Sequence, residues 1–210
     1  MLENKLDITN EIELAKEEER ITKIKALELF DTNKINEFEV GTFKGLSKIH
    51  EYLFSDIYGF AGKLRKYNIA KGIFRFASAM YLEEALAKVD NMPQDTFENI
   101  IKKYIEMNIA HPFREGNGRS TRIWLDMILK KELKKVIDWS KIDKEDYLLA
   151  MERSPIKDTE IKLLLASALT DKIDDREVYM KGIDVSYKYE GYNTYTMTEL
   201  DKYIKEIEWK

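Results

Sequence analysis

Residues 95–129, DTFENIIKKYIEMNIAHPFREGNGRSTRIWLDMIL, decide the fold. Apolar side chains at helical spacing predict a first helix over about 95–110, and Pro112 disfavours helical geometry at the residue before it. A second helix is predicted from about 118 to 135. Six of the seven residues from 123 to 129 are apolar, so this helix is expected in the middle of the fold.

Helical periodicity extends outward from this stretch in both directions. It predicts an exposed amphipathic helix over about 9–30 and further helices over about 42–58, 78–90, 143–152, 157–170, 175–190 and 197–208. The period is lost between Gly59 and Gly72, where apolar residues flank Lys71 and Gly72. This predicts a short hairpin, the only β structure expected. The fold class is therefore all-α with a short β-hairpin. We expect a single domain over 1–210, with a C-terminal helix at about 175–191 and an extension at 192–210.

The composition of the chain excludes several classes of protein. Its 210 residues include 9 Gly and 3 Pro, roughly half of average usage, which argues against a turn-rich sandwich or barrel. The net charge of −4 leaves no basic surplus for direct binding to nucleic acid. Cysteine is absent, which excludes disulfides and thiolate metal sites. No apolar run is long enough to span a membrane, and we expect a cytoplasmic protein.

The loop between the two central helices carries the residues of a reactive site, HPFREGNGRSTR at 111–122. Gly116 and Gly118 allow successive backbone N–H groups to point at one spot, where the next helix adds the positive end of its dipole. Arg119 and Arg122 share one face of the first turn of that helix, where cations are disfavoured. A bound anion, best a phosphate group, would explain them. In the alternative interpretation the loop is only a turn, and Arg122 pairs with Asp126.

Two further side chains of the loop suggest the chemistry. His111 can take a proton near neutral pH, and Glu115 is a hard oxygen ligand suited to Mg²⁺ on a polyphosphate. Together with the amides and arginines, they are the parts of a phosphoryl or nucleotidyl transfer site. The G-x-x-x-x-G-K-[ST] loop is missing, and the preceding element is a helix, which excludes the familiar nucleotide-binding loops.

This twelve-residue pattern closely resembles the signature of the Fic (filamentation induced by cAMP) family, H-P-F-x-[DE]-G-N-G-R-x-x-R, and every specified residue is present. The resemblance covers roughly residues 35–191. It implies a mostly helical Fic fold and a protein adenylyltransferase, which transfers AMP from ATP to a hydroxyl side chain of a target protein with Mg²⁺.

The resemblance also implies a role for each motif residue. His111 would deprotonate the target hydroxyl, Glu115 would hold Mg²⁺, and Phe113 would anchor the loop. The phosphates would be bound by Gly116, Asn117, Gly118, Arg119 and Arg122. Gly118 favours AMP transfer, because the Doc-like branch, which transfers phosphate, has a Lys there. The hairpin with Lys71 and Gly72 resembles the Fic flap, which docks the target segment as an extra strand.

A second motif lies near the C-terminus, Ser186-x-x-x-Glu190-Gly191. Taken alone, Ser and Glu one helical turn apart are typical of a solvated surface. Beside the first motif, they resemble the C-terminal inhibitory helix of small single-domain (class III) Fic proteins, [ST]-x-x-x-E-[GN]. There the Glu pairs with the second motif arginine, here Arg122. Tyr187 is the candidate for self-modification.

The resemblance implies further properties of the whole protein. These are a toxin-like activity, a homo-oligomer that restrains it, and as target an ATPase subunit of a type II topoisomerase.

The other histidine, His50, is predicted to be a half-buried core residue. Two alternatives stay open, a catalytically silent nucleotide-binding regulatory module and a Fic relative that transfers another group, as a phosphotransferase or another nucleotidyl transferase.

Overall fold

Nine α-helices make up most of the computed structural model, which describes residues 2–72 and 74–208. Their bounds are α1 Glu11–Asp31, α2 Phe43–Phe54, α3 Leu82–Asp90, α4 Phe97–Ala110, α5 Asn117–Leu133, α6 Lys144–Arg153, α7 Thr159–Ser167, α8 Arg176–Tyr189 and α9 Met197–Glu208. The predicted all-α fold class is confirmed. No described helix combines the length and apolar content that a membrane crossing requires.

Two short antiparallel strand pairs complete the described fold. The first joins β1 Ala70–Lys71 to β2 Phe74–Arg75, which confirms the predicted hairpin; Ile73, between its strands, lies outside the described residues. The second joins β3 Val136–Ile137 to β4 Leu169–Thr170. The prediction that the hairpin would be the only β structure is therefore wrong. Two-residue strands that pair across a long separation leave no alternation in the sequence.

Local capping explains where the helices begin and end. The N-cap side chains of Asn10, Thr42 and Thr96 accept hydrogen bonds from the first-turn amides of α1, α2 and α4. Helix α4 ends at His111, which adopts a left-handed backbone conformation with φ of 48°. The predicted stop before Pro112 is confirmed.

The core is built around α5. Its Trp124, Leu125, Ile128 and Leu129 are fully buried, and the helix packs against α2, α4 and α8. This confirms the central place predicted from its apolar run. The first turn of α5 lies next to the end of α8.

Helix α1 is not the exposed amphipathic helix that the sequence predicts. It packs against α2, α8 and α9, and it buries Glu18, Glu19 and Lys23 almost completely. These charges have partners far along the chain: the Glu19 carboxylate accepts from the amides of Thr194 and Tyr195. Local periodicity counts such residues as solvent-facing, because it contains no information about distant partners.

The segment after α8 is fixed to the rest of the fold by the same helix. Lys23 Nζ donates to Asp184 Oδ1 at 2.8 Å and to the carbonyl of Tyr195. Asp184 in turn accepts from the amide of Met197, whose side chain is fully buried. The sequence alone assigned no role to residues 193–210; in the structure, residues 194–197 help to close the core over α1 and α8.

Candidate active site

The loop between α4 and α5 is held by buried side chains. Asn117 accepts from the amide of Phe113 and donates to its carbonyl, both at 2.8 Å. The Phe113 ring is fully buried and stacks on His50 at a centroid distance of 3.8 Å. The Asn117 side chain is occupied in shaping the loop, and its predicted role in binding phosphate stays a prediction.

His50 is fully buried rather than half-buried as predicted, because both of its ring nitrogens are used. Nε2 lies 2.8 Å from the carbonyl of Glu115, and Nδ1 accepts from the amide of Gly62 at 2.9 Å. Burial lowers the pKa of His50 to about 3, so the ring stays neutral. A motif loop braced by a distant histidine was not predicted from the sequence.

Gly116 is required by both its conformation and its surroundings. Its φ of 76° lies in the left-handed region, and a Cβ at this position would come within 2.4 Å of the Phe54 ring. This close approach lets the chain turn directly into α5 and leaves the first amides of that helix facing the site.

His111 lies beside the hairpin, half-buried. Its ring stacks on Phe76 at 3.7 Å, and Nδ1 lies 3.3 Å from the carbonyl of Asn108. An Nδ1–H that donates to this carbonyl leaves the lone pair of Nε2 available to take a proton. Burial lowers the pKa of His111 to about 4, so the imidazole is neutral at pH 7.

Glu115 reaches the mouth of the site with its side chain 40% exposed. Its Oε1 accepts from the amide of Gly116 at 3.0 Å and from Arg119 Nη2 at 3.1 Å. Within the described residues there is no group of three or more side chains suited to hold a metal ion. A single carboxylate nevertheless fits Mg²⁺, which takes its other ligands from substrate phosphates and water.

Arg119 is buried and paired with α1, and its predicted phosphate contact stays a prediction. Its side chain has no exposed surface, and Nη1 donates to Glu18 of α1. Glu18 also accepts from the hydroxyls of Tyr58 and Tyr192, and the nearby charge of Arg119 helps to lower its pKa despite burial. Glu18 is a site residue that sequence reasoning missed. It lies outside the motif, and nothing in the local pattern marks it.

Arg122 and the second motif come together as predicted from the resemblance. Arg122 Nη2 lies 2.8 Å from Glu190 Oε1, and Nε donates to Ser186 Oγ at 2.7 Å. Burial alone would raise the pKa of Glu190, but the Arg122 guanidinium lowers it to about 2. The alternative pair with Asp126 is excluded: Asp126 accepts from the amide of Ile137 and from the indole of Trp139.

The Glu190 carboxylate stands against the first turn of α5. A Cβ placed on Gly118 would lie 2.2 Å from Glu190 Oε1 and 3.0 Å from Arg122 Nη1. The position where the sequence predicts an anion is thus next to an anionic group of the chain itself. Because Gly118 has no side chain, the Glu190 carboxylate has room at this position.

The remaining predicted residues lie at the rim or in the core. Lys71 is exposed on β1, and its charge acts on both His111 and Glu190, so the hairpin borders the site. Gly72 has a φ of 59° and forms the turn. Tyr187, the candidate for self-modification, is 1% exposed and donates to Thr22 Oγ1 at 2.7 Å. Its hydroxyl is bonded inside the fold in this conformation, and its self-modification stays a prediction.

Comparison with known proteins shows which family the chain resembles. Residues 42–129 match the sequence model of the Fic/DOC family. The chain is 30% identical to protein adenylyltransferase VbhT of Bartonella schoenbuchensis over 94% of its own length and 41% of the length of VbhT. It is 27% identical to the probable protein adenylyltransferase Fic of Escherichia coli, over 60% of the chain and 68% of that protein.

A solved structure supports the fold. The BepC protein of Bartonella tribocorum, crystallised with bound AMPPNP, superposes with a TM-score of 0.65 over 81% of this chain and 92% of BepC, at 20% identity. The matched region contains the complete motif at 111–122 together with the helices that position it. Residues 42–129 therefore belong to the Fic/DOC family.

Proposed function

We propose that this chain transfers AMP from ATP to a hydroxyl side chain of a target protein, and that Glu190 restrains the reaction. The observation that carries the proposal is the Glu190 carboxylate, which sits against the N-terminal turn of α5 and pairs with Arg122 at 2.8 Å. A helix N-terminus with an arginine is a site for a phosphate group. The names of VbhT and the E. coli relative as adenylyltransferases support the same activity.

The chemistry proceeds from the neutral His111. Its Nε2 takes the proton of the target hydroxyl while the hydroxyl oxygen attacks the α-phosphorus of ATP. The bond between that phosphorus and the oxygen bridging to the β-phosphate breaks, and diphosphate leaves. The products are an AMP–protein phosphodiester and diphosphate. Because positioning and charge neutralisation dominate phosphoryl transfer, the amides at Gly116 and Gly118 supply much of the catalytic environment.

Arg122 has a different role in each state. Paired with Glu190 it is unavailable, and released from Glu190 it binds the γ-phosphate and aligns the nucleotide for in-line attack. Glu115 is the residue that would hold Mg²⁺, whose charge offsets that of the phosphates when it is bound. Arg119, which is paired with Glu18, also donates from Nη2 to Glu115 Oε1 at 3.1 Å and so helps to position that carboxylate.

The target reaches the site along the hairpin. Both residues of β1 are exposed, and an extended segment that pairs with this strand would carry its hydroxyl to the His111 ring. An ATPase subunit of a type II topoisomerase as target, a homo-oligomer as the restrained form, a toxin-like role and a cytoplasmic location are proposals that rest on the sequence and the resemblance alone.

Labelling with two forms of ATP tests the function. The Glu190→Gly variant, with Mg²⁺ and a broad protein extract, is expected to transfer label to protein from [α-³²P]ATP and not from [γ-³²P]ATP. Adding His111→Ala should abolish the labelling. Glu177→Gly is the matched control, because Glu177 lies on the same helix and pairs with Lys181 at the surface.

The other outcomes identify the alternatives. Label from the γ-phosphate would make the protein a phosphotransferase. ATP binding by calorimetry without any labelling would make it a silent nucleotide-binding module. Either result overturns the proposal.

A further inference from the structure

The C-terminal end of α4 has its free carbonyls bound by the base of the hairpin. A helix leaves its last carbonyls without partners inside the helix. Here the carbonyl of Ile109 accepts from the amide of Ala77 at 2.9 Å, and the carbonyl of Pro112 accepts from the amide of Arg65 at 2.9 Å. The carbonyls of Ala110 and His111 accept from the Arg65 side chain. Four consecutive carbonyls are thus held by residues 65 and 77.

The Arg65 guanidinium binds both sides of this junction at once. Nε donates to the carbonyl of His111 at 2.7 Å, and Nη2 donates to the carbonyl of Ala110 at 3.1 Å. Nη1 donates to the carbonyl of Tyr67 at 2.7 Å, and Nη2 also donates to that of Ala77. Tyr67 precedes β1 and Ala77 follows β2, so one side chain joins the two ends of the hairpin to the residue proposed as base.

Arg65 is 6% exposed, and its described partners are all main-chain oxygens. A buried cation without a carboxylate partner is an expensive group to keep. The planar fork of a guanidinium is suited to contacting several carbonyls in fixed directions, which a single ammonium cannot do. These contacts therefore indicate that Arg65 fixes the relative positions of these carbonyls, rather than adding to the stability of the fold.

His111 needs such a restraint. It is a non-glycine residue with a φ of 48°, a conformation that persists only where the surroundings impose it. Its own carbonyl is held by Arg65, and its ring lies on Phe76, one residue before the hairpin end that Arg65 also holds.

We infer that Arg65 is a positioning residue, which fixes the position of the His111 ring relative to the target-docking hairpin. The inference rests on the proposed function for its catalytic consequence, but its geometry can be measured without activity. The hairpin brings the target hydroxyl, and His111 takes its proton; a shift of about 1 Å between them would cost about 100-fold in rate.

The charged groups that face the His111 ring from the packed elements are Arg65, Lys71 and Glu190. Arg65 and Lys71 lower its pKa, and Glu190 raises it, while burial has the largest effect. Replacing Arg65 by Met removes one positive charge and loosens the loop, and both changes raise the pKa of His111. Replacing it by Lys retains the charge.

The test uses Arg65→Met and Arg65→Lys, with Lys66→Met as the control because Lys66 is the adjacent, exposed cation. In the first arm, the ring signals of the two histidines are titrated by NMR in the full chain, and His111→Asn assigns them. We expect the pKa of His111 to rise in Arg65→Met and to change less in Arg65→Lys, while Lys66→Met leaves it unchanged. The ring of His50 serves as the internal reference.

In the second arm, the Glu190→Gly background is labelled with [α-³²P]ATP and Mg²⁺ in a protein extract. Arg65→Met should lower the maximal rate by about 100-fold with the apparent KM for ATP within about threefold, and Arg65→Lys should recover part of the rate. If circular dichroism shows that Arg65→Met does not fold, Arg65→Lys alone tests the inference. A reduced maximal rate and shifted His111 ring signals in Arg65→Lys would then support it.

The two arms separate the failures. Unchanged His111 ring signals in folded Arg65→Met, or a wild-type rate in both variants, overturn the inference. If no protein is labelled even with Arg65 intact, the proposed function fails, and the NMR arm still decides whether Arg65 positions His111.

Discussion

Gly118 and Glu190 are in direct contact across the mouth of the site: a Cβ on Gly118 would lie 2.2 Å from the Glu190 carboxylate oxygen Oε1. The same oxygen lies 2.8 Å from Arg122 Nη2. Three parts of the fold thus meet at one point: the first turn of α5, Arg122 and the end of α8. The proposed restraint by Glu190 would act at this point.

Gly118→Ala is expected to have opposite effects on stability in two backgrounds. In the wild type the new methyl group displaces the paired carboxylate, so the free energy of unfolding falls. In Glu190→Gly only the flexible end of Arg122, 3.0 Å from the new methyl group, has to shift, and Ala should stabilise the helix by about 0.5–1 kcal/mol relative to Gly. Urea denaturation of the four proteins measures the cycle. An effect of the same sign in both backgrounds would show that Gly118 and Glu190 do not share this space.

Removal of Glu190 should affect ATP and AMP differently. The carboxylate competes with a γ-phosphate for Arg122 and repels it, whereas AMP lacks that phosphate. Calorimetry of Glu190→Gly is expected to show ATP binding tightened by about tenfold, which corresponds to about 1.4 kcal/mol, and nearly unchanged binding of AMP. Equal tightening of both nucleotides would place the effect of Glu190 elsewhere than at the γ-phosphate.

Glu18 should be far more important for stability than its neighbour Glu17. Glu18 is the buried partner of Arg119 and accepts from Tyr58 and Tyr192. Glu18→Ala leaves the buried guanidinium with the partly exposed Glu115 as its remaining described charge partner, and it should cost about 3–5 kcal/mol. Glu17 pairs with Arg20 at the surface, and Glu17→Ala should cost less than about 1 kcal/mol. Chemical denaturation measures both. Similar costs would mean that the Glu18 pair contributes little.

Acid should destabilise the fold through His50. Burial lowers its pKa from 6.5 to about 3, so between pH 6 and pH 4 the unfolded chain binds a proton that the folded chain excludes. The free energy of unfolding therefore falls as pH falls, by about 1.4 kcal/mol per pH unit from this residue. Denaturation of wild type and His50→Gln at several pH values should show the wild-type slope steeper by about this amount. Equal slopes would mean that His50 titrates normally in the folded state.

The sequence predicted those features that local patterns encode. Apolar residues of α4 and α5 recur at helical spacing within short windows, and Pro112 marks the end of α4 in the sequence itself. The residues at 111–122 could be assigned to phosphate chemistry because glycines, a histidine and misplaced arginines stand together. The pairing of Arg122 with Glu190 was predicted from the resemblance.

What the sequence did not predict depends on contacts between distant segments. Burial of Glu18 and Lys23 in α1 is possible only because their partners lie near the C-terminus or in the motif. The pairing of Arg119 with Glu18 was missed for the same reason, since nothing local shows that Glu18 binds it. Tyr187 faces the core because α1 covers α8, and its position beside Ser186 carries no sign of this.

The mass added to a modified protein tests the central claim most directly. The Glu190→Gly variant, incubated with ATP, Mg²⁺ and a protein extract, should add about 329 Da, the mass of one AMP group, to a hydroxyl side chain, as transfer at the α-phosphate requires. The modification should be absent when His111→Ala is added. An added mass of about 80 Da, the mass of a phosphate group transferred from the γ-position, would contradict the account.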